Sequence, residues 1–227
     1  MKVNLKLVIG QFVAFFAAFA VSLFLPAGTI TWLAGWIYLA MFFGFFLAVN
    51  LWLYKHNPGL LQERTNLGGS DQKGWDKILF PLLLISPFAQ LIVSALDAVR
   101  FHGSVAPVWI QIVGVIILMI SFYLLFLTFR ENSYLSPIVR IQEERERSVV
   151  STGLYHYVRH PMYSGMLFFV MGTPLLLGSW YGLLVGLILM LVLARRAALE
   201  ERTLHDELHG YAEYMADVKH RIIPYMW

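Results

Sequence analysis

A run of polar and aromatic residues lies at positions 153–165, directly before a long apolar segment. It contains Tyr155, Arg159, His160 and Pro161. Polar groups at membrane depth are costly, so a membrane protein keeps them where a ligand must be held. Proline cannot continue a helix from its N-terminal side but suits the first turn of a new one. We therefore expect Arg159 and His160 just before a helix N-terminus, where free N–H groups favour an anionic ligand group.

A second polar group follows at the end of another apolar segment, where Arg196, Glu200 and Glu201 lie close together in the sequence. Arg196 and Glu200 are four residues apart and would share one face of a helix. The simplest interpretation is an exposed ion pair that contributes a few tenths of a kcal/mol. The functional interpretation is a paired guanidinium and carboxylate at the lipid boundary. Its carboxylate would bind cationic groups and its guanidinium would fix an anionic one.

The composition limits the class of protein. Of the 227 residues, 59% are hydrophobic and 14% are charged, whereas soluble domains carry about 25% charged residues. The chain has no cysteine, which excludes disulfides, thiolate nucleophiles and cysteine-based metal sites. No histidine or carboxylate cluster with metal-ligand spacing falls in an apolar segment, so we expect no metal. The net charge of +3 fits the loops of a membrane protein better than nucleic-acid binding.

Long apolar stretches predict an all-α, polytopic integral membrane protein with about six transmembrane helices. The stretches cover residues 7–25, 31–54, 78–96, 108–129, 162–180 and 181–194. We expect the last two to form a tight hairpin through residues 178–182, with its first arm kinked at Pro174. Isolated polar residues in the first four stretches are expected to bond neighbouring helices rather than a ligand. They are Gln11, Gln90, Asp97 and Gln111.

The positive charges predict the orientation. If the chain crosses the membrane six times, 16 of the 17 Lys and Arg residues fall on one side and only Arg100 falls on the other. Positive residues concentrate in cytoplasmic loops, so both termini and the polar site are expected to be cytoplasmic. Residues 55–77 are expected to be a flexible connection on that side. A cleaved signal peptide is the alternative interpretation of the first stretch.

The residues that could do chemistry are concentrated in the second half of the chain. This distribution predicts an N-terminal four-helix transmembrane region at 1–129 and a C-terminal catalytic region at 130–227, with a cytoplasmic cofactor-binding subdomain. The tail after residue 204 is expected to fold back over the site as a lid. Tyr211 and Tyr214 are interpreted equally well as packing residues of that lid or as ligand contacts.

Three separated motifs in residues 130–227 resemble the isoprenylcysteine carboxyl methyltransferase family and its phospholipid methyltransferase relatives. The matching positions are Gly153, Tyr155, Arg159, His160, Pro161, Tyr163 and Gly165, then Arg196, Glu200, Glu201 and Leu204, then Gly210, Tyr211, Tyr214, Arg221 and Pro224. The resemblance is specific because the motifs match in the same order. It implies integral-membrane methyl transfer from S-adenosylmethionine.

The resemblance also implies a role for individual residues. Those expected to bind the cofactor are Gln142, Arg147, Ser148, Val149, Val150, Tyr155, Arg159, His160, Pro161, Met162, Tyr163, Glu200 and Glu201. Glu200 would close the pocket near the cofactor's amino group or sulfonium, and Arg196 would face the methyl acceptor. These two residues are the expected catalytic pair. A sulfonium is already an activated methyl donor, so the protein must mainly align donor and acceptor and exclude water.

The acceptor stays open at this level. The resemblance favours a lipidic acceptor such as an isoprenylcysteine carboxylate, which is ionised near pH 7 and needs no general base. A phospholipid amine or a small thiol would need one, and Glu200, Glu201 or His160 could serve. Two other functions remain as alternatives: a reductase similar to the sterol reductases that uses NADPH, and a non-catalytic membrane scaffold whose polar cluster is structural. Cofactor binding distinguishes the three.

Overall fold

The computed structural model describes residues 3–65, 72–104, 106–139 and 148–226, and the regular structure within these ranges is helical throughout. The α-helices are α1 (Leu5–Ala27), α2 (Leu33–His56), α3 (Pro58–Arg64), α4 (Asp76–Ala95), α5 (Val108–Glu131), α6 (Pro161–Leu177), α7 (Trp180–Glu207) and α8 (Tyr211–Asp217). A π-helical turn at Leu96–Arg100 extends α4, and a short 3-10 helix covers Gly153–His156. The all-α class predicted from the apolar stretches is confirmed.

Five of the described helices are long and apolar enough to cross a membrane. They are Leu5–Ala27, Leu33–His56, Asp76–Arg100, Val108–Glu131 and Trp180–Glu207. The sixth apolar helix, α6, has only 17 residues, which is about 26 Å of helix against about 30 Å of hydrocarbon. The predicted count of about six therefore corresponds to five full-length helices and one shorter one. α7 is longer than the apolar stretch 181–194, because its charged continuation is rich in strong helix formers.

The predicted hairpin between α6 and α7 is confirmed. α6 ends at Gly178, whose φ of 76° is in the left-handed region where glycine is favoured. Ser179 then caps α7 by accepting a hydrogen bond from the amide of Gly182. One carboxylate oxygen of Asp97 accepts hydrogen bonds from the Ser179 hydroxyl and the Tyr181 amide. The polar residue at the end of α4 thus fixes the start of α7, as its isolated position in an apolar stretch predicted.

Gln90 on α4 compensates for the proline in α6. Pro174 has no N–H group, so the carbonyl of Val170 one turn earlier has no donor within its own helix. The Gln90 side chain donates to this carbonyl at 2.9 Å and to the carbonyl of Gly182 on α7 at 3.1 Å. One amide group therefore connects three helices where the α6 backbone would otherwise be unsatisfied, which confirms the predicted role of Gln90.

Glycines let α5 and α6 approach at backbone distance. A Cβ atom built on Gly114 of α5 would lie 2.2 Å from the amide nitrogen of Leu176 on α6. A Cβ on Gly165 would meet the Leu125 side chain at 2.8 Å, and the Ser121 hydroxyl donates to the Gly165 carbonyl. Small residues are what permits such close packing between membrane helices. The contact holds the start of α6, which carries the candidate site, firmly against α5.

The segment between α2 and α4 differs from the expected flexible connection. Pro58 begins α3 in the first helical position, and the side chain of Asn57 caps it by accepting a hydrogen bond from the amide of Leu60. α4 begins at Asp76, whose side chain is fully buried. The prediction was wrong for residues 58–64 and 76–77, because a short capped helix and a buried acid give no hydropathy signal. Residues 66–71 lie outside the described ranges.

Candidate functional site

A polar pocket of about 70 Å³ lies where the start of α6, the end of α7 and α8 meet. Its wall is completed by the segment 132–139 after α5 and by residues 148–150. Tyrosines and one carboxylate, Glu200, surround the pocket together with apolar side chains. The motifs that lie far apart in the sequence therefore meet at one place.

The buried carboxylate of Glu201 is the centre of a cluster of cationic side chains. Arg159 donates to both of its oxygens, at 2.8 and 3.1 Å, and Arg221 donates to one of them at 2.6 Å. Nε2 of His160 lies 3.4 Å from the same carboxylate. Breaking a buried pair of this kind strands an uncompensated charge, which is strongly destabilising. Glu201 therefore holds Arg159 and Arg221 in place, although it does not itself line the pocket.

The chain after α8 folds back across the start of α6. The amides of Arg159 and His160 donate to the carbonyls of His220 and Arg221, both at 2.9 Å. The hydroxyl of Ser164 donates to the carbonyl of Ile222, whose side chain is buried. The tail thus pairs with the residues just before Pro161, so the predicted fold-back is confirmed. Arg159 and His160 precede the first turn of α6, also as predicted.

Glu200 and Tyr163 form the part of the site that faces the pocket. The Tyr163 hydroxyl donates to one oxygen of Glu200 at 2.8 Å, and both residues line the pocket wall. The second oxygen of Glu200 accepts no hydrogen bond from the described part of the chain. A carboxylate oriented by a tyrosine in this way is suited to bind a cationic or hydrogen-bond-donating ligand group.

Arg196 is held by a residue that the motifs did not include. Its Nε donates to the carboxylate of Asp76 at 2.8 Å, and its Nη2 donates to the carbonyl of Pro137 at 2.8 Å. Asp76 accepts further hydrogen bonds from the Val139 amide and from Gln72. The predicted pairing of Arg196 with Glu200 on one helix face is thus replaced by an ion pair between α7 and the start of α4.

Tyr155 links the 3-10 helix to both walls of the pocket. Its hydroxyl accepts a hydrogen bond from Asn132 at 2.7 Å, and its carbonyl accepts one from the hydroxyl of Tyr214 at 2.6 Å. The hydroxyl of Tyr211, by contrast, is buried at the pocket wall and has no hydrogen-bond partner among the described residues. Burial raises the pKa of both Tyr211 and Tyr214, so both hydroxyls stay protonated at neutral pH.

The structure brings most of the predicted site residues together. Those that line the polar pocket are Ser148, Val149, Val150, Tyr155, Arg159, His160, Met162, Tyr163, Arg196 and Glu200. Glu201 and Pro161 lie beside the pocket and are not in its wall. Gln142 and Arg147 lie outside the described residues. No cluster of three metal-ligating side chains occurs within the described ranges.

Sequence reasoning missed several residues of the wall. They are Asn132, Tyr134, Leu135, Ser136, Ile138, Val139 and Leu208; Leu204 was a motif position without an assigned role, and Asp76 was missed behind the wall. No sequence motif pointed to the segment 132–139, whose Pro137 carbonyl accepts a hydrogen bond from Arg196. Tyr211 and Tyr214, left open between packing and ligand contact, are buried in the core of the tail and also line the pocket.

A second, apolar cavity of about 370 Å³ lies within the bundle of apolar helices. Its walls are mostly Phe, Leu, Val and Met side chains from α1 through α7, and it falls in the size range typical of ligand pockets. Met162 and Arg196 line this cavity and the polar pocket alike. The two spaces therefore adjoin at these two side chains, with a guanidinium at the junction.

Comparison with known proteins agrees with this arrangement. Residues 109–210 match the model of the phospholipid methyltransferase family. The matched range covers 102 of the 227 residues, a little under half of the chain. The matched range includes α5, α6 and α7 with the Arg159–Pro161 and Arg196–Glu201 motifs, so the resemblance suggested by the motifs is confirmed.

The chain is also similar to the protein-S-isoprenylcysteine O-methyltransferase of Schizosaccharomyces pombe. The two are 37% identical over 67 residues, which is 29% of this chain and 28% of that protein. The match therefore spans little more than a quarter of the length of that relative. Both comparisons support a membrane methyltransferase.

Proposed function

We propose that the protein is an integral membrane methyltransferase that transfers a methyl group from S-adenosylmethionine to a lipidic acceptor. The observation that carries the proposal is the junction of a polar pocket and an apolar cavity at Met162 and Arg196. A water-soluble donor and a lipid need two such spaces, and methyl transfer needs them to meet.

The polar pocket fits the proposed cofactor. The buried Tyr211 hydroxyl at its wall has no partner among the described residues, and a buried hydroxyl of this kind is costly unless a ligand or water satisfies it. Glu200 offers a free oxygen for the amino group, and the faces of Tyr155 and Tyr163 can contact a sulfonium. When bound, the cofactor supplies a methyl group that is already activated by the positive sulfur.

The apolar cavity fits the tail of a lipid acceptor. It extends along α2 from Leu53 to Phe42 and along α4 from Phe80 to Gln90. At 1.5 Å per residue these spans are about 15 to 17 Å long. Arg196 and Pro137 lie at the same end of the cavity as Phe80, next to the start of α4. A lipid with its tail in the cavity would therefore present its polar end at the junction.

The residues at the junction position the reactants. Asp76 and the Pro137 carbonyl hold two nitrogens of Arg196, so the guanidinium is fixed in one orientation with donors left for the acceptor. The cluster around Glu201 holds the tail across the start of α6, which keeps water from the pocket. Alignment of donor and acceptor by such fixed groups can supply several kcal/mol of the barrier reduction.

An isoprenylcysteine carboxylate is the acceptor we favour. It is ionised near neutral pH, so it needs no general base, and the arginine at the junction suits its charge. A phospholipid amine would have to lose a proton, and Glu200 is the carboxylate of the pocket that could accept it. The matched relative is named for an isoprenylcysteine acceptor and the matched family for phospholipids, so both acceptors belong in the test.

The test is calorimetric titration of detergent-purified protein with S-adenosylhomocysteine and, separately, with NADPH. We expect saturable binding of S-adenosylhomocysteine by the wild type and loss of that binding in Glu200→Ala. Glu207→Ala is the matched control, because Glu207 lies on the same helix but is exposed and pairs with Lys73. Binding of NADPH alone, or of neither compound by folded protein, would overturn the proposal.

The acceptor is then identified with labelled S-adenosylmethionine. A farnesylated cysteine, phosphatidylethanolamine and a small thiol are offered in parallel to the same preparation. We expect label in the ester of the farnesylated cysteine, which mild base releases as methanol. Label that resists base and appears in phosphatidylethanolamine would move the acceptor to the phospholipid amines.

A further inference from the structure

Arg64 is a second guanidinium in the wall of the apolar cavity. It ends α3, and its Nη1 donates to the carbonyl of Leu135 at 3.0 Å. Its guanidinium carbon lies 4.7 Å from the centre of the Phe129 ring. The side chain is therefore held in place by one backbone carbonyl and one aromatic face, and it lies beside a space lined mostly by hydrocarbon.

Arg64, which is partly buried, differs from the buried arginines Arg159 and Arg196 in having no carboxylate. Arg159 pairs with Glu201, and Arg196 pairs with Asp76. Among the residues that the structure describes, none pairs a carboxylate with Arg64. Burial without a compensating charge lowers the pKa of Arg64 to about 10. A partly buried cation without a carboxylate partner is costly, so the group is poised to bind an anion.

The positions of the two cavity arginines are linked through one segment. Arg64 binds the carbonyl of Leu135 and Arg196 binds the carbonyl of Pro137. These residues are two apart, so their Cα atoms are at most about 7 Å from each other. Because Asp76 compensates the charge of Arg196, the positive charge left in the wall at this end of the cavity is that of Arg64.

We propose that Arg64 binds the anionic group of the lipid acceptor and so selects acidic lipids for the cavity. The inference rests on the proposed function, because it assumes that the cavity holds the acceptor. In a farnesylated cysteine the bound anion is the carboxylate, and in a phospholipid it is the phosphate. Arg64 is then a specificity-determining residue, and in a farnesylated cysteine it shares the reacting carboxylate with Arg196 at the junction with the polar pocket.

The test compares a carboxylate with its uncharged counterpart. N-acetyl-S-farnesylcysteine and its carboxamide are titrated by calorimetry against wild type, Arg64→Gln and Arg64→Lys in the same detergent. We expect the wild type to prefer the carboxylate, and Arg64→Gln to bind the carboxylate about 10- to 100-fold more weakly while binding the carboxamide unchanged. Arg64→Lys keeps the charge without the planar fork, so it should restore part of the preference.

Arg130→Gln is the matched control, because Arg130 also lies in the last turn of a helix but pairs with Glu131 and lies outside the cavity. It should keep the wild-type preference. A ratio of carboxylate to carboxamide affinity that is the same in wild type and in both Arg64 variants, together with equal phosphatidic acid binding by all three proteins, would overturn the inference. If Arg64→Gln has no thermal transition, Arg64→Lys decides alone, and a ratio equal to that of wild type counts against Arg64.

S-adenosylhomocysteine binding separates this inference from the proposed function. We expect its affinity to be the same in wild type and the Arg64 variants. If the protein binds S-adenosylhomocysteine but the Arg64 variants keep the wild-type preference for the carboxylate, only the inference is contradicted. A protein that binds no S-adenosylhomocysteine but loses its preference for the carboxylate in Arg64→Gln contradicts only the proposed function. A parallel titration with phosphatidic acid assigns the anion: its loss in Arg64→Gln, with the carboxylate unaffected, identifies a phosphate.

Discussion

Replacing glutamate by glutamine should have different effects at the adjacent carboxylates Glu200 and Glu201. At Glu201 it should lower stability, and at Glu200 it should weaken cofactor binding. Glu201 is 3% exposed, accepts two hydrogen bonds from Arg159 and one from Arg221, and lies 3.4 Å from His160. In Glu201→Gln the buried Arg159 has no carboxylate left. Breaking a buried pair from one side costs about 3–5 kcal/mol, so we expect a loss of stability of that size.

Among the described residues, Glu200 makes one hydrogen bond to a side chain, from the hydroxyl of Tyr163. A glutamine at position 200 can still accept that bond, so Glu200→Gln should lower stability by less than about 1.5 kcal/mol. The same change removes the charge that faces the proposed amino group or sulfonium. We therefore expect S-adenosylhomocysteine to bind at least about tenfold more weakly, as for the loss of a charge-assisted hydrogen bond.

The assay is thermal unfolding and calorimetric titration of both variants in one detergent, with Glu207→Gln as control. For a chain of this size, about 2–4 °C of Tm corresponds to 1 kcal/mol. Glu201→Gln should then lower Tm by about 6–20 °C, whereas Glu200→Gln and the control should stay within about 6 °C of wild type. A Tm for Glu201→Gln equal to that of wild type would show that desolvation cancels the attraction in the cluster and would refute this reasoning.

Further variants test the other parts of the site. Asp76→Asn leaves Arg196 without its carboxylate, so methyl transfer measured with labelled donor should fall about 10- to 100-fold while S-adenosylhomocysteine still binds; weaker cofactor binding with normal turnover would contradict this role. Tyr211→Phe removes an unpaired buried hydroxyl, so the Tm should hold or rise while cofactor affinity measured by calorimetry falls; unchanged affinity would exclude the hydroxyl as a contact. Gly114→Ala places a methyl group against the backbone of α6, so little folded protein should elute on size-exclusion chromatography, whereas Gly44→Ala, with nothing within 4 Å, should elute as wild type.

The sequence predicted the features that a few consecutive residues determine. Pro161 fixes where α6 begins, so the placement of Arg159 and His160 before its first turn follows from three consecutive residues. The hairpin between α6 and α7 likewise follows from Gly178 and Ser179, which end one helix and begin the next. Both features depend on backbone geometry that a short sequence determines.

The partner of Arg196 could not be predicted in this way. Glu200 is four residues away and on the same helix, and every local rule favours it. The observed partner, Asp76, is 120 residues away and begins a different helix. A lone acid before an apolar stretch is equally typical of a helix N-terminus facing water. Only the packing of α4 against α7 shows that it is buried and paired.

The apolar cavity also escaped prediction, whereas the continuation of α7 beyond its apolar stretch did not. Hydropathy gave only the apolar half of α7, at 181–194, and the spacing of Arg196 and Glu200 indicated that the helix continues beyond it. The cavity is lined by the same Phe and Leu side chains that fill a core. Whether such residues enclose a space depends on how the helices are spaced, which composition does not contain.

The segment 132–139 is joined to both cavity arginines through main-chain oxygens, those of Leu135 and Pro137. A carbonyl oxygen is the same whichever side chain the residue carries. Side chains in this wall can therefore be exchanged, by evolution or by an engineer, without losing the bonds that hold Arg64 and Arg196. In this segment the main chain holds the two arginines, and the side chains shape the pocket. Substitutions here are therefore the place to begin in changing which methyl acceptor the protein binds.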